Sequence, residues 1–296
     1  MIIPTAHPAS SSISLPAALS LGHVRLAVAD LDRALDFYQT ALGFKVHRRE
    51  DGAAYLGAGG VDLLVLTEQR GGRIPRGRTG LYHFAILVPS RFELAQALRR
   101  LAQTRTPLQG FADHYVSEAI YLADPDENGI EIYRDRPRSE WTDEHGNFRM
   151  GTDPLDVDGV LGELQGREAE PWNGLHPDTT LGHMHLRVAD IRDSKKFYCD
   201  VLGFDLMAQL PSALFISAGG YHHHLGLNIW ESAGAPPADP GSVGLREFIV
   251  RLPDPGEVDK VLNRVREAGL PVEAHPLGAL VRDPAQNAIV FTTYEL

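Results

Sequence analysis

Three histidines occupy one position in three short segments of alternating apolar character: His23 in HVRLAV, His83 in HFAILV and His183 in HMHLRV. Strand side chains alternate faces, so His23 and Arg25 oppose Val24, Leu26 and Val28, and His83 and Ala85 oppose Phe84, Ile86 and Val88. In the third segment His183, His185 and Arg187 oppose Met184, Leu186 and Val188. The segment GIEIY sets Glu131 and Tyr133 against Ile130 and Ile132, and just before it Tyr121 opposes Ile120 and Leu122. If the apolar sets pack on helices, the opposite faces carry imidazoles and a carboxylate. A buried carboxylate is costly unless compensated, and a divalent cation would compensate it. Two neutral imidazoles and one carboxylate leave adjacent coordination positions open, which suits non-haem Fe(II) oxygen chemistry. A further run, YHHHLGLNIW at 221–230, reads as a strand whose alternation places His222, His224 and Asn228 on the cleft face and turns Tyr221, His223, Leu225, Leu227 and Ile229 away.

The elements that must position these residues recur. LGHVRLAVADLDRALDFYQTALGFKV at 21–46 aligns with LGHMHLRVADIRDSKKFYCDVLGFDL at 181–206, with 12 of 26 positions identical at a shift of 160. Each copy reads as a strand, an amphipathic helix carrying Phe-Tyr, a Leu-Gly-Phe helix end and further short strands, a βαβββ pattern. A weaker repeat begins near 81 and 245, and the ends DPDENGIEIY and DPAQNAIVFT both enter a last strand through an Asp-Pro-x-x-Asn turn. The expectation is an α+β fold of four βαβββ modules at roughly 21–70, 80–134, 181–231 and 244–295. By sequence, these fall into a loose N-terminal tail (1–20), a first domain (21–134, modules one and two), a linker (135–180) with at most a short helix near Leu155–Leu164, and a second domain (181–296, modules three and four).

Composition bounds the function. With 28 basic and 39 acidic residues the net charge is −11, and no basic block could neutralise a run of phosphates, so nucleic acid is not expected as a partner. No apolar run approaches the roughly 20 residues needed to span a bilayer, and the N-terminal segment lacks the basic start of a signal peptide. The single cysteine, Cys199, reads as a buried structural thiol compatible with a reducing cytoplasm. Trp141, Trp172 and Trp230 read as packing residues. The oligomeric state is open, a homodimer being one arrangement.

The sequence resembles the vicinal oxygen chelate superfamily, whose paired βαβββ modules form open, barrel-like sheets around a divalent metal. GLYHFAILVPSR, VSEAIYLADPDENGIEIYRDRP and SAGGYHHHLGLNIW are similar to the CatE-like catechol 2,3-dioxygenases within it. That resemblance implies an oxidoreductase of aromatic catabolism: an extradiol dioxygenase taking a small aromatic diol and O2 at Fe(II), with Mn(II) or Zn(II) as alternatives. It maps two metal ligands onto His83 and Glu131, and second-sphere groups onto His114 and Tyr121. The third ligand is His183 if module two pairs with module three, or His23 if modules one and two pair. An acid/base histidine is expected on the fourth strand of the first-ligand module, where module one offers Asp62, Leu64 and Leu66 and module three offers His222 and His224, of which His224 is assigned the role. The pairing of modules two and three is preferred because it gathers every piece in one cleft, and the long linker permits it. A second, zinc-type site from His183, His224 and Glu247 is entertained. The alternatives on the same scaffold are a glyoxalase-like metal-dependent isomerase or lyase, and a non-catalytic binding protein for an aromatic antibiotic.

Overall fold

Each module's opening strand gives way to a helix where an acceptor side chain caps the first turn. Asp30 accepts from the Arg33 amide (2.9 Å), Ser90 from Glu93 (3.2 Å), Asp190 from Arg192 and Asp193 (2.7 and 2.9 Å) and Asp254 from Glu257 (3.0 Å). Pro255 occupies the first turn of the last helix, where a missing N–H costs nothing.

The computed structural model describes residues 3–4, 13–167 and 170–293. Its strands are β1 (Ile3–Pro4), β2 (Ser20–Val28), β3 (Lys45–Glu50), β4 (Ala53–Gly57), β5 (Asp62–Glu68), β6 (Gly80–Leu87), β7 (Leu108–Asp113), β8 (Ser117–Ala123) and β9 (Gly129–Asp135). After the linker come β10 (Thr180–Arg187), β11 (Asp205–Leu210), β12 (Ala213–Ser217), β13 (Leu225–Asn228), β14 (Gly244–Leu252), β15 (Glu273–His275), β16 (Gly278–Arg282) and β17 (Ala288–Thr293). The helices are α1 (Leu31–Thr40), α2 (Arg91–Gln103), α3 (Val157–Gly162) in the linker, α4 (Ile191–Lys195), which continues as a π-helical turn through Leu202, and α5 (Pro255–Glu267).

The strands form two mixed sheets, so the fold is α+β. One runs β1-β11-β12-β13-β10-β6-β9-β8-β7 and joins module three to module two; the other runs β15-β16-β17-β14-β2-β5-β4-β3 and joins module four to module one. The division at 21–134 and 181–296 therefore follows the repeat in the chain, while the sheets cut across it. Antiparallel pairing of β6 with β10 and of β2 with β14 makes the two junctions. The apolar faces of all four opening strands, including Val24, Phe84, Met184 and Phe248, feed one continuous core.

Two repeated motifs hold each half together in a different way. The Tyr38 hydroxyl on α1 donates to Asp124 (2.9 Å), and Tyr198 donates to Asp283 (2.9 Å). These are the Phe-Tyr tyrosine and the Asp-Pro-x-x-Asn aspartate of the same half, both buried. Each aspartate also accepts from the backbone and side chain of its turn asparagine, Asn128 or Asn287. So module one is latched to module two through helix and turn, yet shares its sheet with module four.

The segment expected to be a loose tail is partly ordered into this scheme. Residues 1–2 and 5–12 lie outside the described residues, but Leu15 and Leu19 are buried and the Leu15 amide bonds the Gly203 carbonyl (2.9 Å). Leu175, 160 residues on, bonds Gly43 in the same way (3.0 Å). Both glycines stand in the Leu-Gly-Phe motif with positive φ (77° and 96°), and a Cβ on Gly203 would fall 2.1 Å from the Ile13 carbonyl oxygen. Each half thus lends the segment before its first strand to the other half's helix end. Cys199 is half-buried in the π-helical turn, and burial pushes its thiol up to about 12.

Tyr38→Phe and Tyr198→Phe should each destabilise the protein by roughly 1–3 kcal/mol, because a buried carboxylate then loses a donor. Urea denaturation of the two variants against the parent measures this directly.

Candidate metal centre and its cleft

Pairing of β10 with β6 and β6 with β9 sets the site's floor. His185 lies opposite His83, and His183 opposite Ala85, while on the other side Ala85 pairs with Glu131. His183 and Glu131 therefore flank Ala85 in one cross-strand row, and His83 stands two residues along on the same face. The small, fully buried Ala85 leaves room for the flanking side chains to meet over it.

Into that space three ligand atoms converge. His83 Nε2 and His183 Nε2 each lie 3.0 Å from Glu131 Oε2 and 3.3 Å from one another. All three side chains are buried. Burial alone would raise the Glu131 carboxyl, but attraction and hydrogen bonds from His183 and His83 outweigh it and hold it well below the usual carboxylate range. Burial lowers His83 against the opposing pull of Glu131. An ionised carboxylate beside neutral imidazole nitrogen is a donor set that fits a divalent cation, and among the described residues it is the one such group.

A cavity of about 600 Å³ opens over this group. Tyr121, opposite Glu131 on β8, reaches it, and burial pushes its phenol well above the usual range. His114 Nε2 lies 2.7 Å from the Tyr121 hydroxyl, and His114 Nδ1 lies 2.7 Å from the Gly151 carbonyl. Since a carbonyl only accepts, Nδ1 carries a proton, and with the ring uncharged the tyrosine hydroxyl donates to Nε2. Gly151 belongs to the linker, which thus walls the cleft and sets a tautomer within it. Trp230, for which packing is the favoured sequence reading over a place in a cleft, lines the cleft and is 49% exposed.

The structure changes two expected placements. Residues 221–224 are irregular rather than strand: Gly219 and Gly220 turn with positive φ, and β13 starts only at Leu225. Alternation therefore fails across the histidine run. His224 faces Ser217 Oγ (2.9 Å) and the Ala218 amide (3.3 Å), away from the cleft, with burial lowering it to about 3. His223 lines the cleft in its place, its ring centroid 4.2 Å from that of His183. The entertained second site does not assemble: Glu247 lies on β14 in the other sheet, paired with Arg25 (3.0 Å) and His275 (3.3 Å). His23, on β2 of that sheet, likewise stands apart from Glu131.

His185 is a site-facing residue that the motif reading passed over. It lines the cleft, its Nε2 is buried without a partner, and burial lowers it well below the usual histidine range. Its position two residues after His183 was the available signal.

The chain matches the family model described as Glyoxalase/Bleomycin resistance protein/Dioxygenase superfamily over residues 20–132 and 180–291. The chain belongs to the glyoxalase/bleomycin resistance protein/dioxygenase superfamily. Within this superfamily it is 45% identical over 276 residues to a catechol-2,3-dioxygenase of Bacillus subtilis (strain 168), covering 91% of this chain and 95% of that one. The fold is shared with glyoxalase I of Zea mays (TM-score 0.58, 18% identity, 93% and 92% of the two chains). It is also shared with a candidate dioxygenase of Bacillus subtilis (TM-score 0.65, 14% identity, 96% and 87%).

Ala85→Leu should abolish metal uptake by filling the centre of the group, at a stability cost of about 1–3 kcal/mol; elemental analysis after equilibration with Fe(II) or Zn(II) reads it. A separate effect concerns His23, which burial and Arg25 lower to about 4. Between pH 6.5 and 4 the unfolded chain binds a proton there that the folded chain does not, so stability falls as pH drops through this window, by about 2 kcal/mol at pH 5. His23→Gln should flatten the loss between pH 7 and 5 by that amount in denaturant titrations.

Proposed function

We propose that the protein is an extradiol ring-cleaving dioxygenase that inserts O2 into a catecholic substrate at a 2-His-1-carboxylate centre formed by His83, Glu131 and His183. The observation that carries this reading is the convergence of these three groups at the floor of a roomy cleft. The extensive identity to a catechol-2,3-dioxygenase supports it. A bound Fe(II), or Mn(II) in its place, supplies a Lewis acid for the diol and a redox centre for O2.

The protein's own groups do the rest. His223, neutral because burial pushes it well below the usual histidine range, takes a proton from the diol hydroxyl and returns it after ring opening. This assigns to His223 the role expected of His224. Tyr121, kept protonated by burial, turns its one O–H from His114 Nε2 to the phenolate oxygen when the diol binds, and His114 takes it back as acceptor when the product leaves. Tyr82, Phe111, Phe215 and Trp230 line the cleft around the ring and limit water there. The product is a ring-opened semialdehyde, formed by a catabolic enzyme of the cytoplasm.

The test is O2 uptake and yellow product formation with catechol by anaerobically Fe(II)-loaded protein. His83→Ala, Glu131→Ala and His183→Ala should each lose at least about 10²-fold in turnover and fail to retain metal, while His23→Ala stays active. Stoichiometric metal with no oxygen uptake on any catechol overturns the reading.

A further inference from the structure

The histidine run connects the cleft to the protein's surface through a chain of hydrogen bonds. His223 lines the cleft, and its Nδ1 lies 2.8 Å from His222 Nδ1. The His222 ring is wholly buried, and its Nε2 lies 2.8 Å from Asp135 Oδ1. Asp135 ends β9 four residues beyond Glu131, with 27% of its side chain exposed. The Tyr221 hydroxyl donates to the same oxygen (3.2 Å), and Tyr133 lies 2.8 Å from that hydroxyl. Trp141 closes over His222 with ring centroids 5.2 Å apart.

The order of donors along this chain follows from its end. A carboxylate only accepts, so His222 Nε2 carries a proton. With His222 uncharged, that is its one proton, which leaves His222 Nδ1 bare and requires His223 to donate from Nδ1. His223 Nε2, the nitrogen left for the cleft, is then bare. We propose that Asp135 and His222 are positioning residues that hold the His223 ring in place and lock it in the Nδ1–H tautomer, keeping a lone pair on Nε2 for a ligand in the cleft. The logic is that of a carboxylate orienting a histidine base, lengthened by one imidazole. It also separates the three members of the run: His224 is anchored to Ser217, His222 transmits, and His223 meets the cleft.

The tautomer assignment rests on this geometry with an uncharged His222; its consequence for turnover rests on the dioxygenase reading. Ring-15N-histidine NMR on Zn(II)-loaded protein, with the His223 signals identified through His223→Gln, should show Nδ1 protonated and Nε2 bare. In Asp135→Ala both tautomers should be populated. In the Fe(II) protein the same substitution should lower kcat for catechol roughly 10–100-fold, with KM and metal content unchanged, and Asp135→Glu should restore most of it. His222→Phe should match Asp135→Ala if it folds; Asp135 is partly exposed and carries the test if it does not. A protonated Nε2 on His223 in the parent protein overturns the proposal. So does an Asp135→Ala variant with the parent's spectrum, or one that loses metal rather than kcat. If the parent binds metal but turns over no catechol, the dioxygenase reading fails while the spectra still decide the chain.

Discussion

The antiparallel junction of β6 with β10 is the constraint on which the site depends. It places His185 against His83 and His183 against Ala85, and because strand side chains alternate, a slip of one residue would turn both ligand histidines into the core. The opposite face prevents the slip. Phe84 and Met184, paired in register and both fully buried, belong to the common core, so any shift would bring imidazoles into it and apolar rings out. The metal-binding geometry is thus held by hydrophobic burial on the far side of the same two strands.

Why the second and third modules meet follows from how the halves are bound. The buried Tyr38–Asp124 and Tyr198–Asp283 bonds hold each half together at the helices, and the exchanged Leu15 and Leu175 contacts cross-link the halves. The sheets are then free to pair across halves, with the linker carrying the chain over. The other junction, β2 with β14, has the same architecture and different chemistry. There Glu247 is engaged by Arg25 and His275, and Val290 stands in the last strand at the position corresponding to Glu131. Charges on that face pair with one another instead of converging on a common point.

Burial sets the electrostatic character of the cleft. It lowers His83, His185 and His223, so that these imidazoles stay neutral, while the two nearby histidines keep Glu131 ionised. The linker extends this control by supplying the Gly151 carbonyl that fixes His114. A segment rich in Gly, Pro and Asp reads as a spacer, yet it forms part of the wall because its backbone groups reach the site.

The four modules, the strand faces of His83, Glu131, Tyr121 and His183, and the polar character of the cleft were legible in the sequence, since alternation and a repeat at a shift of 160 are local properties of the chain. Alternation failed where the backbone left the strand: the Gly219-Gly220 pair marks a turn in the sequence, but that the strand resumes only at Leu225, with His223 inward and His224 outward, is set by the fold. The sharing of the other sheet by modules one and four, the room that Ala85 leaves between His183 and Glu131, and the link from His223 to Asp135 belong to the tertiary structure. Each depends on contacts between residues far apart in the chain, whose register is set by the packing of a core common to all four modules.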